Sequence, residues 1–123
     1  MKKKYQVVFY EKENGTFPAE EYINALDIKM SAKIYRILGM LETNGPELRE
    51  PYSKHLTDGI FEIRARYGKN LARVLFFFHV GKQIVATHGF TKKTQKTPAI
   101  EIERAKIYRS IYLSREVKIN ENS

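Results

Sequence analysis

The sequence predicts an α+β domain with the element order β-α-α-β-β-β-α, in which a mostly antiparallel sheet is packed by two N-terminal helices and one C-terminal helix. Three observations predict this class. Short runs rich in β-branched and aromatic residues resemble strands, apolar residues recur at helical spacing before and after them, and Gly, Asn and Pro stand at the boundaries. At 123 residues without cysteine, the chain can bury the core of one domain without disulfides.

The N-terminal third predicts one strand and two helices. Residues 5–10 are β-branched and aromatic and indicate the first strand. Pro18 suits the first position of a helix, and a second helix is predicted from Ser31, as its N-cap, to residue 42. The second helix carries one apolar stripe: Ile34, Ile37, Leu38 and Leu41.

Three further strands are predicted over residues 59–66, 73–79 and 83–90. The first alternates apolar and charged residues, as a half-buried strand does, and the second is an almost continuous apolar run typical of a central strand. Thr97 then caps a final helix that begins at Pro98. We expect a single domain over residues 1–115 and a polar tail, residues 116–123, that frays.

Composition argues against a membrane protein. No apolar run approaches the roughly 18 residues that span a bilayer. The N-terminal lysines are followed by a short apolar run and then by charged residues, unlike a signal peptide. We therefore expect a soluble cytoplasmic protein that does not bind a membrane.

Positive charge is concentrated in residues 54–96. This segment holds nine Lys and Arg residues against two acids, and so carries +7 of the net charge of +8. Folding brings these like charges together although they repel, which indicates a polyanionic partner. The alternation places Arg64 and Arg66 on one strand face, and Arg73 begins the next strand. If the strands pair in sequence order, these arginines and the loop of residues 92–96 converge at one edge of the sheet.

Such a cluster suits cleavage of RNA without a metal. Attack of a ribose 2′-hydroxyl on the adjacent phosphate needs a base, an acid and positive charge around the transition state. Arginine suits the last task because it is always charged and grips phosphate with two donors. His88 is ready to move protons, whereas a lysine needs neighbouring cations to lower its pKa. No nucleotide-binding or nucleophile motif and no metal-ligand spacing is present in the sequence, so no cofactor is expected.

Three strings of the sequence together resemble the RelE/ParE toxin superfamily, and in particular the phage-type HigB-like branch of type II toxin–antitoxin systems. They are KHLTDGIFEIR from Lys54, RVLFF from Arg73 and HGFTKKTQKTP from His88. The resemblance covers residues 5–112, and the predicted element order agrees with the RelE-like fold.

The resemblance implies a toxin that cleaves mRNA on the ribosome, as a metal-independent endoribonuclease, and that a cognate HigA-like helix-turn-helix antitoxin neutralises in a hetero-oligomer. It implies two sets of site residues. The catalytic set is Arg64, Arg66, Arg73, His88, Lys92 and Lys93. The substrate-binding set is Lys54, His55, Lys69 and Lys96. Lys54, His55, His88 and Lys96 all stay open as the general base, and Glu62 stands where some relatives carry a basic residue.

Two rival functions remain. ParE-like relatives inhibit DNA gyrase without cutting RNA, and a basic protein could bind nucleic acid without enzymatic activity. The cationic face with His and Lys at its rim favours the ribonuclease over the gyrase inhibitor. No DNA-reading helix stands out in the sequence, so a nucleic-acid-binding protein without enzymatic activity is the least favoured of the three functions.

Overall fold

A computed structural model describes residues 2–122, and it confirms the predicted α+β class. The elements in these residues are β1 (Gln6–Phe9), α1 (Pro18–Ala25), α2 (Ile28–Asn44), β2 (Ser53–Thr57), β3 (Ile60–Tyr67), β4 (Asn70–His79), β5 (Gln83–Lys92) and α3 (Ala99–Asn122). The strands form one sheet in the order β1-β5-β4-β3-β2, in which β1 and β5 run parallel and the other neighbours antiparallel. Within residues 2–122, no helix is both long and apolar enough to cross a membrane.

Helices α1 and α2 cover one face of the sheet. The predicted stripe of α2 is buried in full, and it packs against inward-facing residues of the strands such as Ile63 and Phe76. Burial of each large aliphatic side chain contributes about 1.5–3 kcal/mol. This layer therefore fixes α2 against β3, so that Lys33 and Arg36 of the helix lie beside the edge of that strand.

Helix α3 covers the opposite face. Two of its tyrosines pack there: Tyr108 stacks on Tyr10 with ring centroids 4.6 Å apart, and Tyr112 meets Phe77 edge to face at 5.9 Å. The buried apolar residues of this layer are Tyr10, Ile60, Leu75, Phe77, Val85, Phe90 and Ala105. The loop before α3 covers the part of this face that carries Arg73, which donates to the carbonyl oxygens of Thr94 and Lys96.

The sequence prediction missed the edge strand β2. Its five residues include one aliphatic side chain, Leu56, because an edge strand does not need the apolar alternation that marks a buried one. A two-residue turn joins β2 to β3, and both Asp58 and Gly59 have positive φ, 49° and 75°. That geometry is the tight hairpin turn that favours Asp-Gly.

Both predicted helix caps were wrong. Helix α2 begins at Ile28, because the Asp27 side chain accepts a hydrogen bond from the Met30 N–H at 2.9 Å and caps the helix one turn before Ser31. Helix α3 begins at Ala99, and the Thr97 hydroxyl is turned inward, where it donates to Glu62 Oε1 at 2.5 Å.

Helix α3 continues past residue 115 to Asn122. A contact of 2.7 Å between His79 Nε2 and Glu116 Oε2 joins this part of the helix to the end of β4. The helix therefore extends into the segment expected to be a polar tail, and the fraying of residues 116–123 stays a prediction. Ser123 lies outside the described residues.

Candidate functional site

The register of three neighbouring strands arranges five of the ten predicted site residues in rows on the α3 face of the sheet. A β-bulge adds one residue to β5 at Thr87, so that His88 rather than Thr87 lies opposite Leu75. The rows across β3, β4 and β5 are Glu62–Leu75–His88, Arg64–Arg73–Phe90 and Arg66–Leu71–Lys92.

Glu62 is a fully buried carboxylate at 0% exposure, on the face where an exposed strand residue was expected. Its Oε1 accepts from the Thr97 hydroxyl at 2.5 Å, and its Oε2 accepts from Arg64 Nε. A buried carboxylate is tolerated only when it is paired and hydrogen-bonded. Both of its oxygens are satisfied here, one by strand β3 itself and one by the loop before α3.

Arg73 is also buried, at 0% exposure. Its guanidinium donates to the carbonyl oxygens of Thr94 and Lys96, the second at 3.3 Å, and lies 5.4 Å from the ring centre of Phe90. Its Nε has no hydrogen-bond partner in the described part of the chain. Burial lowers the pKa of Arg73, and the nearby Glu62 carboxylate opposes that shift.

Arg64 connects the buried carboxylate to the surface. Nε contacts Glu62, and Nη2 donates to the Gln95 carbonyl oxygen at 2.7 Å. Its side chain is 17% exposed and reaches the surface of a cleft. Arg64, Arg73 and the loop thus come together, and the two arginines hold the loop by its carbonyl groups.

The cleft has a volume of about 940 Å³ and opens beside Ser53, where β2 begins and β3 continues beyond it without a paired strand on that edge. Helix α2 forms one wall, and Lys33 Nζ donates to the Arg66 carbonyl oxygen across it at 3.0 Å. Six cationic residues line the cleft: Lys33, Arg36, Lys54, Arg64, Arg66 and Lys96.

One acid, Glu50, lies among the described lining residues. Its Oε1 is 3.8 Å from Lys54 Nζ, and its side chain is 66% exposed. Tyr52 adds a partly exposed aromatic ring to the same wall. Unlike the buried network of Glu62, Arg64, Arg73 and Thr97, this group of side chains is open to solvent.

Four of the ten predicted site residues therefore line the cleft: Lys54, Arg64, Arg66 and Lys96. Lys92 and Lys93 are exposed at the end of β5 and in the following loop, and Lys69 is exposed in the turn between β3 and β4. His55 Nε2 accepts from the Gly59 N–H at 3.3 Å and its ring lies against Phe61. These residues lie outside the set that lines the cleft.

His88 lies beneath α3 and not in the cleft. It is 4% exposed, with Nε2 at 3.1 Å from Glu101 Oε1 and Nδ1 at 3.2 Å from Thr87 Oγ1. Burial lowers its pKa, whereas the hydrogen bond to Glu101 and the charge of that carboxylate raise it; Arg104 nearby lowers it. Both ring nitrogens are thus engaged inside the protein.

The cleft residues that the sequence did not predict include Lys33, Arg36, Glu50 and Tyr52. A signal for the first two was present, because Lys33 and Arg36 are three residues apart and flank the apolar stripe of α2 on the same side. Glu50 and Tyr52 precede β2, which was itself missed. Within residues 2–122, no group of three or more His, Asp or Glu side chains could hold a metal ion.

Most of the chain matches one protein family. The family described as phage derived protein Gp49-like (DUF891) matches residues 21–110, from within α1 to the middle of α3. The chain belongs to this family. The Gp49-like family is RelE/ParE-like and is associated with toxins of toxin–antitoxin systems, which indicates an antitoxin partner. No curated protein matches the chain.

Proposed function

We propose that this Gp49-like protein is a ribosome-associated, metal-independent endoribonuclease of the HigB-like branch, and that it cleaves mRNA to inhibit translation. The observation that carries the proposal is the cleft with six cationic residues against one acid beside the open edge of β3. RNA is bound chiefly through its phosphates, and a groove with this excess of positive charge matches a single-stranded backbone.

The arginines of the cleft bind and neutralise the scissile phosphate. Arg64 presents its Nη groups, since its Nε is occupied by Glu62. Arg66 is exposed at the same edge, and two arginines can offer paired donors to the oxygens of a phosphorane. Tyr52 offers an aromatic face on which a splayed base can stack.

Glu50 and Lys54 form the proton-transfer pair of the proposal. The Glu50 carboxylate takes the proton of the 2′-hydroxyl as the 2′-oxygen bonds to phosphorus, and the Lys54 ammonium gives a proton to the 5′-oxygen as its bond to phosphorus breaks. The products are a 2′,3′-cyclic phosphate and a 5′-hydroxyl. The pair lies at 3.8 Å on one wall of the cleft, so the two groups face the same substrate.

The remaining predicted residues act less directly in this arrangement. Arg73 and His88 are buried and position the loop and α3, while Lys92, Lys93 and Lys69 extend the positive surface toward the ribosome. A HigA-like helix-turn-helix antitoxin with an acidic surface would neutralise the toxin by covering the cleft or by blocking ribosome docking.

The test is cleavage of mRNA in cells that express single variants. Wild type should arrest growth and produce new 5′ ends, mapped by primer extension, together with 2′,3′-cyclic phosphate ends. Glu50→Gln should lower the cleavage rate at least about a hundredfold, because general base catalysis contributes 10²–10⁴-fold, and Arg66→Ala should weaken RNA binding.

Lys29→Ala is the matched control. Lys29 is exposed on α2, the helix that carries Lys33 and Arg36, but it lies outside the cleft lining, so its removal should leave cleavage unchanged. Growth arrest by wild type without new mRNA ends, accompanied by loss of gyrase supercoiling in vitro, would replace the proposal by the ParE-like function. Salt-dependent RNA binding without cleavage would leave only a binding protein.

A further inference from the structure

Glu62 stands at the centre of the buried network, and nothing in the proposed chemistry uses it directly. It is fully buried, and it contacts one cleft residue and one loop residue, Arg64 and Thr97. A solvated ion pair on a sheet face would hold neither partner in place. A buried carboxylate with both oxygens engaged fixes the orientation of each donor.

The geometry at Arg64 shows what this contact does. Arg64 and Glu62 are two residues apart on β3 and share its α3 face. The carboxylate engages Nε, the inner nitrogen of the guanidinium, so Nη1 and Nη2 are the nitrogens left to face Gln95 and the cleft. Each Nη carries two N–H groups, so one N–H on each is left to grip a phosphate beside the bonds to Gln95, and little of the rotamer entropy of the side chain remains to be lost.

The second oxygen of Glu62 acts on the loop. Thr97 is buried and closes the segment whose carbonyl groups bind Arg64 and Arg73. The loop also supplies Gln95 and Lys96 to the cleft. The Glu62 carboxylate therefore fixes the positions of Arg64 and of the loop before α3 relative to each other.

We propose that Glu62 is a positioning residue that orients the Arg64 guanidinium toward RNA phosphate and ties the loop of residues 93–97 to the sheet through Thr97. This inference rests on the proposed RNA-cleaving function for its substrate. The orientation of Arg64 is nevertheless a property of the protein alone, and it can be measured without RNA.

Glu62→Gln tests the orientation of Arg64. Glutamine has nearly the same shape but carries no charge and only one acceptor oxygen, so it cannot accept from both Arg64 and Thr97. We expect hydrogen exchange of the Arg64 Nε–H with water, measured by ¹⁵N NMR, to become at least about tenfold faster as its charge-assisted bond weakens. Affinity for a 2′-O-methyl RNA dodecamer, which cannot be cleaved, should fall about fivefold under conditions where the variant stays fully folded.

Thr97→Val and Thr97→Ser test the link to the loop. Valine keeps the shape of threonine but removes the hydroxyl, so the amides of Gln95 and Lys96 should exchange at least about fivefold faster and RNA affinity should fall. Serine keeps the hydroxyl and should restore both values, which a purely packing role for the methyl group would not allow.

Unchanged Arg64 exchange and RNA affinity in a folded Glu62→Gln protein would overturn the proposal. If that variant does not fold, the two threonine variants decide, and loop exchange that is the same in the Thr97→Val and Thr97→Ser proteins overturns it. A wild-type protein with a protected Arg64 Nε–H and no affinity for RNA would refute the proposed function while leaving the positioning role intact.

Discussion

Arg73 and Arg66 illustrate how differently one face of a sheet can use the same residue type. Both lie on the α3 face of neighbouring strands, one cross-strand row apart. Arg73 is fully buried and donates to the loop, whereas Arg66 is exposed and lines the cleft. The difference comes from what covers each row, because the loop before α3 closes over the middle row and stops short of the outer one.

This contrast separates two regions. The buried network, defined as Glu62, Arg64, Arg73 and Thr97, uses charge to hold the chain together. In the proposed function, the cleft uses charge to attract RNA. Arg64 belongs to both, since its Nε faces Glu62 and its side chain lines the cleft. Substitutions in the two regions should therefore change different measured quantities.

The largest effect is expected on stability, from Arg73→Ala. Removing this side chain leaves a cavity and takes away the donors to Thr94 and Lys96 together with a cation whose charge acts on Glu62. We expect the free energy of unfolding to fall by about 3 kcal/mol, as when one partner is removed from a buried charged network. Urea denaturation followed by circular dichroism measures it.

Arg73→Met is the companion variant, because methionine fills much of the space without a charge. It should recover part of the lost stability if packing contributes. An Arg73→Ala protein as stable as wild type but unable to bind RNA would contradict the assignment of Arg73 to the buried network. Arg73 would then count as a substrate-binding residue.

The sequence predicted the face on which these arginines lie but not their surroundings. Strand alternation correctly placed Arg64, Arg66 and Glu62 on one side, and the apolar run of β4 placed Arg73 with Leu75. Burial of Glu62 was not foreseeable from alternation, because a solvated Glu–Arg pair has the same pattern. The cover is a loop whose path depends on hydrogen bonds that Arg64 and Arg73 donate to its carbonyl groups and on the one that Glu62 accepts from Thr97.

The cleft was harder to predict, since its walls come from segments far apart in the chain. Lys33 and Arg36 face β3 only because the stripe of α2 packs on the opposite side of the sheet from α3. The bulge at Thr87 decides that His88 lies beneath α3. A single extra residue in a ladder has no clear signature in one sequence, and the role of His88 was left open for that reason.

A smaller effect, on RNA affinity alone, should separate Arg66 from Lys93. Arg66 lines the cleft, and Lys93 is an exposed residue outside the cleft lining. Arg66→Ala should weaken binding of the 2′-O-methyl RNA about tenfold and reduce the slope of log affinity against log salt by about one. Fluorescence anisotropy over a salt series measures both quantities.

Lys93→Ala should change the affinity by less than about threefold, and neither variant should change stability by more than about 0.5 kcal/mol. Equal losses from the two substitutions would show that the binding surface extends over the loop. In that case the RNA-binding surface would include the residues at and just after the end of β5 as well as the cleft.

The smallest expected effect is a pH dependence of the free energy of unfolding. It should come from the buried His88 and should not appear in RNA binding. Burial lowers the pKa of His88 from its ordinary value of 6.5, against the opposing influence of Glu101, with Arg104 adding to the decrease. Below pH 6.5 the unfolded chain therefore binds a proton that the folded protein does not, and the free energy of unfolding falls as the pH falls. The slope is at most about 1.4 kcal/mol per pH unit, and it flattens once the pH is below the folded-state pKa.

His88→Gln should remove this part of the pH dependence, whereas His55→Gln, at an exposed position of the β2–β3 hairpin, should retain it. Urea denaturation at pH 7.5, 6.5 and 5.5, chosen to bracket the ordinary histidine pKa of about 6.5, provides the comparison. No histidine lies among the described residues that line the cleft, so binding of the uncleavable RNA by His88→Gln should follow wild type over the same range. An affinity that changes with pH in wild type but not in His88→Gln would instead place His88 within reach of the RNA, and the loop would have to open for that contact to form.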